Sequence, residues 1–410
     1  MKEISIMVHP YRFLLRDHKS YRDLLIISVL TFIFGIIYGL FSFYLPIFVD
    51  GAVKNIALVG VFLAIVEIMG IFVDLPFGAF ADRYGRRRTI FLGAILLGFA
   101  ALFFQFSGFS IIVIALALAF YGVVIELVLI PGDAELMSLS PRMRSGRFFG
   151  IYESAHNFGY AVGPFLGGFL IWYSPSPVFW ALIVLSALLG AWAFFFKNKK
   201  SEAGEPLIQA AQSVIKRDHY LVSSIREFRL LGFRGWMMLI FFFTFAFRWG
   251  AIALLEPLFA LDLNLHPVWV GLIYSASTLP FIFFSAPAGY FSDKYGVKPF
   301  IVGGLLISGI ATFLFGSFDG ALILFVLSFV AAIGDSLLVP TVYAAFDTLA
   351  SRHFKGRVTS VVAMAEDAGY FFGPLVAGSI AYYFGFPAAF YTFGILILLV
   401  AVLAIFVKLR

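Results

Sequence analysis

Long apolar stretches alternate with short polar, basic ones along the whole chain. Twelve apolar runs stand out, at about 24–49, 56–80, 89–107, 110–136, 146–173, 177–197, 236–261, 268–291, 299–317, 320–346, 356–384 and 386–407. A bilayer core about 30 Å thick is crossed by roughly 20 apolar residues in a helix, and the runs are of that length. They lack the apolar–polar alternation of barrel strands. The pattern therefore predicts an all-α membrane protein with twelve transmembrane helices, called spans 1 to 12 here.

The basic residues orient those spans. With the N-terminus inside, 27 of the 29 Lys and Arg fall in inside segments; Lys54 lies outside and Arg248 lies within span 7. This distribution follows the positive-inside rule and predicts that both termini are cytoplasmic. Residues 1–23 form a basic N-terminal segment, and the apolar run after it is too long for a signal peptide. A short surface helix at 4–16 and a disordered tail are both open there. The net charge of +6 is then a property of loops facing anionic lipid, and no nucleic-acid partner is expected.

Composition narrows the class further. Only 13% of residues are charged, against about 25% in soluble domains, too few to cover a soluble surface. The chain has no cysteine, which removes disulfides, thiol catalysis and thiolate metal sites. His9, His18, His219, His266 and His353 fall in tails or loops and form no metal pattern, while His156, near Glu153, reads as a packing or gating residue. There is no GxxxxGK[ST] stretch, so no nucleotide site of that kind is expected. No nucleophile–base arrangement suggests an enzyme.

The two halves repeat. Pro46, Pro76, Gly78, Asp82, Tyr84 and Gly85 match Pro257, Pro287, Gly289, Asp293, Tyr295 and Gly296 at an offset of 211. Gly146-Arg147 and Gly159, Tyr160, Gly163, Pro164 match Gly356-Arg357 and Gly369, Tyr370, Gly373, Pro374 at 210. Glu126 and Pro131 match Asp335 and Pro340 at 209. So many matches at nearly one offset imply duplication of a six-helix unit. An even number of spans per unit makes the repeats parallel, related by a pseudo-two-fold axis along the membrane normal. The expected domains are a bundle at 24–197, a cytoplasmic linker at 198–235 with an amphipathic helix around 207–230, and a second bundle at 236–410.

Gly78-Ala-Phe-Ala-Asp82-Arg83-Tyr-Gly85-Arg86-Arg87-Arg88 resembles the span 2–3 loop signature of the major facilitator superfamily. Gly289-Tyr-Phe-Ser-Asp293-Lys294-Tyr-Gly296-Val-Lys298 is its shorter second copy. In span 5, Gly159-x-x-x-Gly163-Pro164-x-x-Gly167-Gly168 resembles the motif of the drug/proton antiporter branch. The resemblance implies that Asp82 faces the positive N-terminal end of span 11, near Gly356-Arg357, where the helix dipole favours a carboxylate. It also implies that Arg86 pairs with an acid at the inner end of span 4. The usual acidic position holds Ser138, leaving Asp133 or Glu135 for that role. Together these contacts would latch the cytoplasmic side; the plainer alternative is that Arg86–Arg88 only enforce topology. Gly85 suits a turn with positive φ. The glycines of span 5 permit close helix packing, expected against span 8, with a kink at Pro164.

Ionisable residues inside the spans point to mechanism: Glu67 and Asp74 in span 2, Glu126 and Asp133 in span 4, Glu153 and His156 in span 5, Arg248 and Glu256 in span 7, Asp335 in span 10, and Glu366 and Asp367 in span 11. Glu67 and Asp74 are seven apart, as are Glu126 and Asp133, so each pair shares a helix face. A charge at the bilayer centre costs about 2.5–3.5 kcal/mol on insertion scales, and eight or more facing lipid would cost roughly 20 kcal/mol or above. They are expected to face the bundle interior or water. By depth, Glu67, Glu126, Arg248, Asp335, Glu366 and Asp367 lie nearest the middle. Glu126 and Asp335, equivalent in the repeat, are the expected coupling acids, with Arg248 holding one of them ionised; a static Arg–carboxylate pair is the alternative. Aromatics of spans 1 and 7, Phe34, Tyr38, Phe41, Phe43, Phe242, Phe245, Phe247 and Trp249, are candidates to line a pocket for an organic cation, with packing or lipid contact as the alternative for each.

The expected function is secondary transport by alternating access in the cytoplasmic membrane of a bacterium or archaeon. The expected activity is proton-coupled efflux of an amphipathic or cationic small molecule, by a monomer using a proton gradient and no cofactor. A proton-coupled importer of a sugar, organic acid or metabolite and a non-transporting receptor or sensor remain as alternatives. The orientation is directly testable in this cysteine-free chain. A cysteine introduced by Arg87→Cys should react with a membrane-impermeant maleimide only from the cytoplasmic side, and one introduced by Lys54→Cys only from outside. The opposite labelling would overturn the topology.

Overall fold

A backbone amide in hydrocarbon has no water to bond, so each apolar run must close its own hydrogen bonds as a helix. In a computed structural model of the chain, residues 18–107, 110–139, 145–194, 226, 228–349 and 355–407 are described. Among them are thirteen α-helices. The first half holds α1 (His18–Val53), α2 (Ile56–Tyr84), α3 (Arg86–Gln105), α4 (Ile111–Leu139), α5 (Ser145–Tyr173) and α6 (Ser176–Ala193). The second holds α7 (Gly232–Asp262), α8 (Pro267–Ala276), α9 (Leu279–Tyr295), α10 (Val297–Phe315), α11 (Ala321–Leu349), α12 (Lys355–Phe384) and α13 (Phe386–Phe406). Ten of the described segments are long and apolar enough to cross a membrane, α8 and α9 counting as one. The other two long helices, α5 and α12, carry Glu153 and His156, and Glu366 and Asp367.

The connections follow local chemistry. Asn55 caps α2, its Oδ1 accepting from the amides of Ala57 and Leu58 at 3.0 and 3.2 Å. Gly85 and Gly296, at matching places in the repeat, have φ of 102° and 89°. Side chains are strained in that region and glycine is not. α7 begins at Gly232, after a 3-10 turn at Arg229–Leu231, ahead of the apolar run that starts at about 236. Almost all of the expected helix at 207–230, and the surface segment at 4–16, lie outside the described residues.

Span 8 is not the single helix that the apolar run predicted. It breaks at Ser277 and Thr278, between α8 and α9. Pro280 is the cause: it cannot donate to the preceding turn and it crowds the residues before it. The matching segment of the first half is one continuous helix, α2.

The packing repeats as the sequence does. α1 lies along α5 as α7 lies along α12; α4 packs on α2 and α3 as α11 packs on α8, α9 and α10; α3 meets α6 as α10 meets α13. The halves meet chiefly through α2 with α12 and α5 with α8. Glycine sets the closest approaches. A Cβ at Gly159 or Gly163 would strike the backbone of α1 around Phe32–Leu40. One at Gly369 or Gly373 would strike α7 around Ala246–Ala251. The span 5 motif therefore packs on span 1 as well as on span 8, the partner expected. Gly168 meets span 8 at Pro267 and Gly271, and the Pro164 carbonyl meets Gly271 as well. A glycine stripe says that a helix approaches closely; the partner is decided by the tertiary fold.

This arrangement predicts a contrast in stability. Gly163→Leu should destabilise the protein by about 1–3 kcal/mol, as overpacking does, lowering the thermal midpoint in detergent. Gly303→Ala, where an added Cβ meets nothing, should leave the midpoint nearly unchanged.

Candidate functional site

The charged residues of the spans sort into three groups. The first is a closed ion pair in the second half. Arg248 of α7 and Asp335 of α11 are each 2% exposed at the side chain, and the guanidinium Nη1 lies 2.5 Å from Asp335 Oδ2. Thr312 of α10 accepts from Arg248 Nε at 2.7 Å. Ser308 donates to Asp335 Oδ1 at 2.8 Å, and the Trp249 indole donates to Oδ2 at 3.2 Å. Three donors thus converge on one carboxyl group. Glu256, two turns along α7 from Arg248, is also buried, and Ser328 donates to its Oε1 at 3.2 Å.

The second group lines a cavity of about 1450 Å³ between the halves. Its carboxylates are Glu67 of α2, Asp133 of α4, Glu153 of α5 and Glu366 of α12; no Lys or Arg lines it among the described residues. Tyr152 donates to Asp133 at 2.9 Å. Tyr343 and Tyr370 each reach Glu366 at 3.4 Å. Tyr38, Tyr160, Trp249, Phe245 and Phe281 form much of the aromatic wall. Tyr38 meets Tyr160 edge-on at 5.4 Å, and Tyr160 meets Trp249 at 6.3 Å. His156 lies in the same wall, its Nδ1 3.4 Å from the Thr31 hydroxyl.

The cavity reaches Leu136, Gly150, Gly289, Phe346 and Val358, near the ends of α4, α5, α9, α11 and α12 that lead to basic loops. The cavity thus extends towards that end. At the other end the halves close on each other. Gly168 and Gly271 bring α5 against α8, and Ser275 donates to the Ala161 carbonyl at 2.6 Å. The hydroxyls of Tyr160 and Tyr274 lie 3.2 Å apart. Gly60 and Gly378 bring α2 against α12.

The third group sits at the basic end. Arg86 donates to the Ala134 carbonyl at 2.9 Å, to Glu135 at 3.2 Å and to Asp82 at 3.3 Å. Glu135 is thus the acid that Arg86 meets, while Asp133 turns to the cavity. The Asp82 side chain is 65% exposed. Lys294 stands over the Tyr295 ring at 5.4 Å, and Asp293 is exposed. Arg83 is exposed too. The side chains of Asp74 and Arg357 and the surroundings of Gly78 and Gly356 lie outside what is described.

The sequence-derived candidates divide accordingly. Glu67 and Glu366 line the cavity; Asp335 and Arg248 sit behind its wall, joined to each other. Glu126 is half-buried on α4 near Gly70 of α2, and Asp367 is half-buried on α12; neither lines the cavity. Glu153, placed in a span by the sequence but given no role, is one of the four lining acids. The repeat held an unused signal: an offset of 211 joins Tyr38 to Trp249 and Glu67 to Thr278, and 210 joins His156 to Glu366, and all six line the cavity.

Two like-folded helical halves around an acid-lined cavity, closed at one end, define a membrane transporter. The chain belongs to the Major Facilitator Superfamily, whose profile matches residues 27–255 and 237–410. It is 25% identical over 380 residues to a protein of Lactococcus lactis named Multi-drug resistance efflux pump PmrA homolog, covering 90% of each chain. It is 23% identical over 402 residues to Multidrug resistance protein MdtG of Enterobacter lignolyticus, covering 93% of this chain and 91% of that one. Quinolone resistance protein NorA of Staphylococcus aureus is 25% identical over 318 residues, covering 74% of this chain and 76% of its own. Among solved structures, a POT family transporter in complex with 5-aminolevulinic acid superposes with a TM-score of 0.75 at 15% identity, over 94% of this chain and 95% of that one. A D-xylose-proton symporter gives 0.72 at 15%, over 93% and 96%. At such identities the likeness is one of fold.

The buried pair yields a prediction of its own. Asp335→Ala strands an arginine in the interior and should cost about 3–5 kcal/mol, while replacing both residues by apolar ones (Arg248→Met with Asp335→Leu) should recover most of it. Thermal unfolding of the purified variants checks both outcomes.

Proposed function

We propose that the protein exports amphipathic organic cations across a cytoplasmic membrane in exchange for protons. The carrying observation is the cavity: four carboxylates, no Lys or Arg among its described lining residues, and walls rich in aromatic rings. A cation about 4 Å from one carboxylate gains roughly 4 kcal/mol at the effective dielectric of such sites. Stacking on Trp249 or a tyrosine adds about 0.5–2 kcal/mol. A proton and an organic cation compete for the same negative charge, and that competition is the physical basis of exchange.

In this reading the chain crosses the membrane twelve times, α5 and α12 included, as a monomer with both termini in the cytoplasm. The basic end of the cavity then faces the cytoplasm, and the conformation described is open inward. Substrate enters here and displaces protons. Rocking of the two bundles about the cavity, 24–197 against 236–410 joined by the linker 198–235, opens the other side. The Gly60–Gly378 and Gly168–Gly271 contacts part, and Asp82 and Arg86 engage the facing bundle to latch the cytoplasmic side. Asp335 is the principal coupling acid, since three hydrogen bonds, from Arg248, Ser308 and Trp249, hold it poised. Glu126, its counterpart in the repeat, serves a lesser part. The names of the relatives, multidrug and quinolone resistance proteins, support export of drug-like molecules.

The rival is import of a sugar, peptide or organic acid. Superposition on a D-xylose-proton symporter speaks only to fold. An anionic substrate would need Arg248, which is closed off by Asp335 and lies outside the cavity lining.

Purified protein in liposomes decides between them. An imposed pH gradient should drive tetraphenylphosphonium or ethidium against its own gradient, and Asp335→Asn should abolish that coupling. Wild-type liposomes that ignore both cations but move a sugar or an organic anion with protons would overturn the proposal.

A further inference from the structure

The cavity and the buried ion pair are separate places, and one side chain belongs to both. Arg248, Asp335, Ser308 and Thr312 do not line the cavity, whereas Trp249 does. The same Trp249 donates its indole N–H to Asp335 Oδ2 at 3.2 Å, the oxygen that also accepts from Arg248. Among the described residues no other cavity-lining side chain has a hydrogen bond to that carboxylate. Its ring is set by aromatic neighbours on three helices: Tyr160 at 6.3 Å, Phe245 at 6.0 Å and Phe281 at 5.9 Å.

We propose that Trp249 is the positioning residue through which an occupied cavity controls the ionisation of Asp335. The inference rests on the cation/proton exchange reading and deepens it. A hydrogen bond donated to a carboxylate favours the charged form over the neutral acid. An organic cation against the indole face is attracted to the ring and holds it in the orientation that points the N–H at Asp335. Cation binding therefore favours ionised Asp335, and a proton on that carboxyl leaves for water. The linkage is reciprocal: a proton taken up by Asp335 loosens the indole, disorders the cavity wall and weakens the hold on the cation. Mutual exclusion of this sign is what exchange requires.

The surroundings of Asp335 leave few other routes. The charged groups that face it are Arg248 and Glu256, both on α7. α10 presents the hydroxyls of Ser308 and Thr312. α8 carries no charged residue, and those of α9, Asp293 and Lys294, are exposed at its basic end. The hydrogen-bond partners of Asp335 are Arg248, Trp249 and Ser308, so a cation that meets Glu153 or Glu366 signals to Asp335 through the wall.

The test measures protons released per tetraphenylphosphonium bound, using purified full-length protein in weak buffer with an indicator dye and equilibrium dialysis. Wild type is compared with W249F, D335N, the W249F/D335N double variant and S308A. W249F keeps an aromatic wall without an indole donor; W249M serves the same comparison if W249F does not assemble. The expected result is that W249F still binds the cation but loses the same part of the release that D335N loses, and that the double variant loses no more. S308A, which removes a donor from the same carboxylate outside the cavity lining, should lower cation-evoked release less than W249F does. Release by W249F equal to wild type, with D335N deficient, overturns the inference alone. So does equal loss in S308A and W249F, which would mean that any weakening of the pair suffices. No release from wild type, or full release from D335N, overturns the exchange reading and this inference with it.

Discussion

An ionised side chain among acyl chains has lost its water and gained nothing in return. That constraint organises this protein more than any single contact. Its acids within the spans have two ways out, and both are used. Asp335 is satisfied inside the second bundle by Arg248, Ser308 and Trp249, sealed from lipid and from the cavity. Glu67, Asp133, Glu153 and Glu366 border a cavity between the bundles. The helices that flank the molecule, α3, α6, α10 and α13, carry no acid at all. The flanking helices are free of acids, and four acids border the cavity between the halves.

Gathering it there makes the interface weak in a useful way. Two bundles joined across polar, partly open space are not locked as a dry core would be. What holds them at the closed end is a pair of backbone approaches, α2 on α12 and α5 on α8, that small residues permit. Within each bundle the glycine seams of α1 with α5 and of α7 with α12 are long and continuous. The contrast between stiff seams inside each half and short ones between them is what rigid-body rocking requires.

Much of this could be read before any coordinates. Run length set the spans, and the break at Ser277–Thr278 had its sign in Pro280. Basic loops set an orientation, and near-constant offsets revealed the repeat. Facing was harder to read, because a helix in a bundle has several buried sides and period alone does not choose among them. Thus Glu126 and Asp335, equal by sequence, are placed differently: one half-buried near Gly70, the other sealed with arginine. The glycines of α5 announced a close partner without naming α1. Trp249 looked like one aromatic among 53 Phe, 18 Tyr and 6 Trp; its hydrogen bond to a residue 86 positions away is a long-range fact that local pattern does not carry.

The central claim is that the lining acids face a water-filled, cation-accepting cavity open to the cytoplasm. Its most direct test uses single cysteines in place of Glu153 and Glu366 in this cysteine-free chain. In inside-out vesicles a charged, impermeant thiol reagent should modify both, and tetraphenylphosphonium should slow the reaction. Modification only by a lipid-soluble reagent, unaffected by the cation, would place these positions against the bilayer and contradict the account.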